Sequence, residues 1–465
     1  MRKEAEDPLN ECATKGWFNP GGDASAIFER CITPTSQHTL WTCLSAPFVH
    51  GKKLKLRRER HLMNVEFSPE LEAFRREVAE FFATAPTPAI REAGRKTTSV
   101  FAPFDQCMAW HQILYQKGWA APHWPKEYGG TGWSVEQRFI FAEEYRKADL
   151  PPLLPQSLGM VGPLLIDLGT EEQKAKYLPP ILKGEDFWAQ GYSEPGSGSD
   201  LASLSCRAEA DGDDYIINGS KIWTTYAHHA NRMFMLVRTS TDGKKQAGIT
   251  FLLLDRMDYP GMEVRPIYGL DGFPEQCEVF FDNVRVPQSG RVGEENQGWS
   301  VAKHLLKHER GGGNAASPTL MRYLERAREA AGQTPSPFGG MLADDPVFQR
   351  DFGELEADVI SLSHLEKLAI SGHEIARDPA FPSMNKTINS ELIQRASVMM
   401  SRVSGVGGLA RQLEALRVGS NVEPQGSEFD LITMPLYLNS RATTIYAGSN
   451  EVQRDLIARS LAAGA

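Results

Sequence analysis

Glu309 lies near the end of the run Trp299-Ser-Val-Ala-Lys-His304-Leu-Leu-Lys-His308-Glu309-Arg310, a helix-like stretch that ends in three glycines. Its carboxylate can accept a proton, and with His304 and His308 it shares one helix face at i, i+4 and i+5. That grouping raises a metal site. Neither the His-Glu-x-x-His order nor a distant third ligand accompanies it, so the histidines read as solvated or capping and no metal is expected. A second stretch, Gly191-Tyr192-Ser193-Glu194-Pro-Gly-Ser-Gly198-Ser199-Asp200, is rich in hydroxyls and backbone N–H groups. Its small residues allow close approach to a planar or phosphorylated ligand. It lacks the last glycine of a dinucleotide fingerprint and runs into β-type sequence, so taken alone it reads as a turn. Gly405-Val-Gly-Gly-Leu-Ala410 fits G-x-G-x-x-A but follows the helical stretch Ile393 to Val403, not a strand, and is rejected as a nucleotide motif. The six cysteines (12, 31, 43, 107, 206 and 277) form no C-x-x-C pair and read as free thiols in a reducing compartment. Arg322, Glu325 and Arg326 read as a solvated helix face.

The elements that must position these groups follow from periodicity. The 465 residues exceed one typical domain. A net charge of -9 argues against bulk nucleic-acid binding, and no run approaches the roughly 18 apolar residues of a membrane span. Residues 1–66 read as a leader, disordered or non-native: they hold Cys12, Cys31, Cys43 and the basic run Lys52 to Arg60, while Glu4, Glu6 and Asp7 are wrong for a transit peptide. Ser68 and Pro69 then make a good helix start, and Leu71, Phe74, Val78 and Phe81 recur at helical spacing. Helical patterns fill 67–187. Short β-rich segments bounded by Gly, Asp and Asn turns fill 188–295, as in an antiparallel barrel or sandwich. Helical patterns return over 296–465.

Four motifs then stand in one order. Glu194-Pro-Gly-Ser-Gly-Ser-Asp200 is followed by Asn218-Gly-Ser-Lys-Ile-Trp223-Thr-Thr225. Phe281-Asp-Asn-Val-Arg-Val-Pro287 with Gly293-Glu-Glu-Asn-Gln-Gly298 comes next, and Ile445-Tyr446-Ala447-Gly448-Ser449-Asn-Glu451-Val-Gln-Arg454 closes the series. Together they resemble the signatures of the acyl-CoA dehydrogenases, over roughly Phe67 to Ala463. The resemblance implies a mainly α protein: an N-terminal helical domain, an antiparallel β-barrel-like middle domain and a C-terminal four-helix bundle. It implies FAD, with Gln190, Tyr192, Ser193, Gly198, Ser199, Trp223, Thr225, Ser449 and Glu451 as its binding residues. It places Ser199, Arg310, Tyr446 and Ala447 at the acyl-CoA substrate. It further implies an electron-transferring flavoprotein as electron acceptor, a homo- or hetero-oligomer, a cytoplasmic location and a role in fatty acid β-oxidation, with no nucleic-acid or membrane partner.

Many members of that family carry the catalytic glutamate where this chain has Ala447. Relatives acting on branched or long acyl chains place it eleven residues after the glycine ending Glu-Asn-x-Gly; 309 minus 298 is eleven, which makes Glu309 the expected base. The implied reaction is α,β-dehydrogenation of an acyl-CoA thioester to the trans-2-enoyl-CoA, on bulky, branched or functionalised acyl groups. The family's Arg-x-x-Phe-Gly, whose arginine reaches FAD in a neighbouring subunit, aligns with Pro335-Ser-Pro-Phe338-Gly339, and its glycine-rich stretch is unclear near Ser404 to Gly408. Two alternatives stay open: a flavin oxidase or monooxygenase on the same fold, and a non-catalytic subunit completing a partner's site.

Overall fold

The computed structural model describes residues 67–311, 317–370 and 373–463, without the side chains of 307–311, 370, 376 and 463. The expected leader, with Cys12, Cys31 and Cys43, lies outside the described residues. Ser68 caps α1 (Pro69–Thr84) by accepting the N–H of Leu71 at 3.3 Å, with proline in the first turn. Thr87 does the same for α2 (Pro88–Arg95). Next come α3 (Phe104–Lys117), α4 (Val135–Lys147), a π-turn at Gln156–Val161, α5 (Gly162–Leu168) and α6 (Glu171–Lys183). Reciprocal capping boxes, Ser134 with Gln137 and Thr170 with Gln173, start α4 and α6. Val78, Phe82, Trp110, Leu114 and Phe141 close the core of these helices.

The middle of the chain forms one curled seven-stranded sheet: β1 (Trp188–Gly191), β2 (Arg207–Asp211), β3 (Asp214–Lys221), β4 (Arg232–Arg238), β5 (Ile249–Leu254), β6 (Met262–Ile267) and β7 (Gln276–Pro287). Pairs β2–β3, β3–β7, β6–β7 and β4–β5 are antiparallel; β1, and β2 through Arg207, run parallel to β4. Strands β4 and β5 are buried along nearly their whole length because both of their faces are covered. Phe234, Leu236, Phe251 and Leu253 face a core shared with Leu164 of α5, Tyr177 of α6 and Val301 and Leu305 of α7 (Gly298–Gly311). The alternate residues Met233, Met235, Val237, Leu252 and Leu254 face Tyr215, Ile217 and Val279. Each such buried side chain contributes about 2 kcal/mol. β6, at the end of the sheet order, turns Glu263 and Arg265 outward and carries Pro266, features that suit an edge.

Beyond α7 come α8 (Ser317–Ala331), α9 (Pro346–Ile370), α10 (Phe381–Ser404), the short α11 (Leu413–Leu416), α12 (Glu428–Ser440) and α13 (Asn450–Ala463). Leu320 and Leu324 of α8, Leu355 and Val359 of α9, Ala396 and Met399 of α10 and Ile432 and Leu436 of α12 make one four-helix core. The first C-terminal helix, α7, contributes its apolar face to the sheet core instead. Among the described residues, no helix is long and apolar enough to cross a membrane.

Candidate active site

The hydroxyl-rich loop leaves β1 at Gly191, where an added Cβ would lie 2.1 Å from Cε of Met233 and 2.9 Å from Cβ of Met235; only glycine fits. Gln190, half-buried within β1, pairs with Phe234. Tyr192 is buried edge-on against Phe234, ring centroids 5.9 Å apart. The loop folds back on itself, Glu194 and Ser197 exchanging backbone hydrogen bonds at 2.9 and 3.0 Å. Gly198 and Ser199 lie exposed at its tip, and nothing stands within 4 Å of a Cβ added at Gly198.

Beneath this loop sits an ion pair that sequence reasoning missed. Nζ of Lys221, at the end of β3, lies 2.7 Å from Oε1 of Glu194, with side-chain exposures of 0% and 5%. Burial pushes the Glu194 carboxyl up, but Lys221 and the amides of Ser205 and Cys206 more than offset it and hold it below its ordinary range. A signal existed: strand alternation sets Tyr215, Ile217 and, past the irregularity at Gly219, Lys221 inward, where a charge needs a counter-charge.

The chain then turns at Trp223, which has φ 60° and is 59% exposed. A bulky residue in left-handed backbone with its indole in solvent is an outlier on two counts. Thr224 is fully buried, its backbone paired with Cys277 in both directions at 3.0 Å, and its hydroxyl has no hydrogen-bond partner among the described residues. The Thr225 hydroxyl donates to Oε1 of Gln276 at 3.3 Å. His228 Nδ1 lies 3.1 Å from the buried thiol of Cys277; Cys107, Cys206 and Cys277 are free thiols.

From the bundle side, α12 ends in a 3-10 turn that leads to an exposed Ile445, Tyr446, then Ala447 at φ 53° and Gly448 at φ 81°. Ser449 starts α13, its hydroxyl accepting from Val452 N–H at 3.4 Å, and Glu451 lies exposed in the first turn, its carboxyl held low by its own backbone N–H and by Ser449. Hydrogen bonds connect α12 to the Trp223 turn: its Asn439 amide donates to Asp271 at 2.9 Å and Glu275 at 3.4 Å, and the Glu275 carbonyl accepts the Tyr226 N–H at 2.9 Å. Tyr192 and Ser193 thus belong with the Trp223–Thr225 turn to one bonded constellation, through Lys221 and Ile222, while the 445–449 arm follows α12, the helix that bonds to the far end of that turn. Glu309 and Arg310 occupy the last turn of α7, and their side chains lie outside the described residues.

Two sequence readings change. His304 is neither free nor capping: its Nε2 bonds Asp167 of α5 at 2.7 Å. Among the described residues no group of three His, Cys, Asp or Glu side chains could hold a metal. Arg322 and Arg326 are not a solvated face; both bond Oδ2 of Asp149, at 2.8 and 2.7 Å, and so tie α8 to the N-terminal helices. Pro335 and Phe338 sit in a tight turn with Phe338 exposed, and Gly405–Leu409 is a 3-10 turn after α10.

Comparison with known proteins decides what this constellation belongs to. The acyl-CoA dehydrogenase N-terminal, middle and C-terminal domain profiles match residues 68–185, 189–284 and 296–462. The chain belongs to the acyl-CoA dehydrogenase family. It is 35% identical to the acyl-CoA dehydrogenase IpdE1 of Mycobacterium tuberculosis over 76% of this chain and 87% of that one. With FadE26 of the same organism the identity is 33%, over 85% and 97%. Among solved structures, the ChsE4-ChsE5 complex from Mycobacterium tuberculosis matches with TM-score 0.73 and 31% identity, over 86% of this chain and 99% of that one. The Tcur3481-Tcur3483 steroid ACAD matches with TM-score 0.72 and 29% identity, over 87% and 99%.

The enzyme is therefore an oxidoreductase, and its family implies a flavin. The residues present fit one. The exposed Trp223 indole offers a planar surface, and the tip of the hydroxyl loop is open to a phosphate or ring.

Proposed function

We propose that this chain catalyses FAD-dependent α,β-dehydrogenation of an acyl-CoA thioester to the trans-2-enoyl-CoA, with Glu309 as the base. The observation that carries this reading is Ala447. The arm that bears the catalytic carboxylate in many relatives is present, in left-handed backbone between Tyr446 and Gly448, but its side chain is a methyl group. The N–H of Ala447 survives the replacement and can donate to the thioester carbonyl, which acidifies the Cα–H bond. The proton then needs another acceptor. Glu309, on the helix that packs against the sheet core, supplies the carboxylate at the spacing used by the relatives with a displaced base. FAD, when bound, would supply the hydride acceptor opposite the base. Tyr192, Ser193, Gly198, Ser199, Trp223, Thr225, Ser449 and Glu451 would hold it, with Gln190 beside the loop; Ser199, Arg310 and Tyr446 would face the acyl-CoA.

The name of the steroid ACAD relative supports a bulky, polycyclic acyl group over a short linear one. Electrons leave to an electron-transferring flavoprotein in this reading, and the enzyme works in the cytoplasm. Pro335, where relatives place an arginine that reaches a neighbour's FAD, favours a site shared with an unlike subunit; the two-protein ChsE4-ChsE5 relative supports that arrangement. The test is an anaerobic screen of acyl-CoAs against the purified protein, alone and with candidate partner chains, reading loss of flavin absorbance. Glu309→Gln should retain FAD and slow bleaching about a hundredfold or more. Unchanged bleaching assigns the base elsewhere.

A further inference from the structure

We propose that Lys221 and Glu194 are positioning residues: their buried ion pair fastens the hydroxyl loop to the turn carrying Trp223 and Thr225, so that two walls of the flavin site hold one register. The inference rests on the reading that these walls bind FAD.

The pair is a hub for three chain segments. Lys221 Nζ donates to Glu194 Oε1 at 2.7 Å and to the Tyr192 carbonyl at 3.2 Å. Glu194 Oε1 also accepts the Cys206 N–H at 3.0 Å, while Oε2 accepts the Ser205 N–H at 2.6 Å and the Ser205 hydroxyl at 3.0 Å. The Ile222 N–H donates to the Ser193 carbonyl at 3.0 Å and closes the seam between loop and turn. Residues 192–194, 205–206 and 221–222 thus converge on two side chains.

Stability alone does not account for such a pair. Desolvating two charges is costly, and well-packed apolar replacements often equal or exceed a buried ion pair in stability; its best-attested use is to fix register. Here a register must be fixed. Trp223 stands in left-handed backbone, a state that persists only where its surroundings over-determine it. On one side Thr224 is paired to Cys277 through both backbone groups. On the other side the constraint is Lys221, two residues away, which reaches directly under Tyr192 and Ser193.

The experiment compares Glu194→Gln, Lys221→Met and the double variant in the full chain, copurified with its partner where one is required. FAD affinity is read by quenching of FAD fluorescence, and backbone hydrogen exchange is followed across residues 192–200 and 221–226. Each single variant should bind FAD at least about tenfold more weakly. Each should also speed exchange in both segments, although only one carries the substitution. The double variant removes both charges and should recover thermal stability toward wild type, while FAD affinity stays weak. A double variant with wild-type FAD affinity overturns the proposal, as does faster exchange confined to the substituted segment. Wild-type protein that takes up no FAD overturns the flavin reading instead, and the exchange measurement still decides whether the pair couples the two segments.

Discussion

At Trp223 the backbone holds φ 60°, a conformation that costs a bulky residue about 1–3 kcal/mol. The indole is mostly in solvent, so its burial returns little of that energy to the apo protein. Asparagine tolerates left-handed backbone far better than tryptophan. Trp223→Asn should therefore raise the stability of the FAD-free protein by about 1 kcal/mol and weaken FAD binding at least tenfold, roughly the loss of one aromatic stacking contact. Thermal unfolding with and without FAD checks both halves; a variant that loses stability in both states would show that the strain is not stored there.

Among the elements, capping and periodicity were legible from the residues. Ser68 starts the helix that follows it, as its place before Pro69 indicates, and the β-rich segments between 188 and 290 are strands; Thr87, Ser134 and Thr170 cap their helices in the same way but were not singled out. Pairing partners were not legible: Trp188–Gly191 lies parallel to Arg232–Arg238, across the forty residues 192–231, and no local pattern encodes that choice. Nor was the Lys221–Glu194 pair read, because inward alternation names the buried charge but not its partner. Arg322 and Arg326 failed for the same reason. They look like a surface row along α8, yet both converge on Asp149, which follows α4 in left-handed backbone at φ 52°. Asp149→Asn keeps the size and the backbone tolerance and removes the shared charge. It should destabilise the protein by about 1–2 kcal/mol, seen as a lower denaturant midpoint with an unchanged slope. No change in the midpoint would mean that the two arginines are as well satisfied by water.

For the whole molecule, the most consequential group is Glu275, at the start of β7 where the sheet meets both helical parts. Asp271 and Asn439 sit against it, Tyr226 and Tyr446 face it from the turn and the C-terminal arm, and Ser99 and Val100 reach it from the segment after α2, with Cys107 of α3 nearby. Burial pushes the Glu275 carboxyl up, to about 7, helped by the like charge of Asp271 and opposed by the Asn439 amide. The Asp271 carboxyl is raised as well, by burial first. Because the folded-state value exceeds the unfolded value of 4.5, the native state binds the proton more tightly. The resulting stability is fully present below about pH 4.5 and is lost as pH rises through about 7, a change of roughly 3 kcal/mol if Glu275 acts alone. Glu275→Gln replaces the protonated acid with a permanently neutral group of the same shape. It should leave the melting temperature nearly unchanged at the acid end of that window and raise it at about pH 8, so that the slope between the two flattens. Equal slopes in wild type and Glu275→Gln would place the titrating group elsewhere and leave the junction of the three parts insensitive to pH.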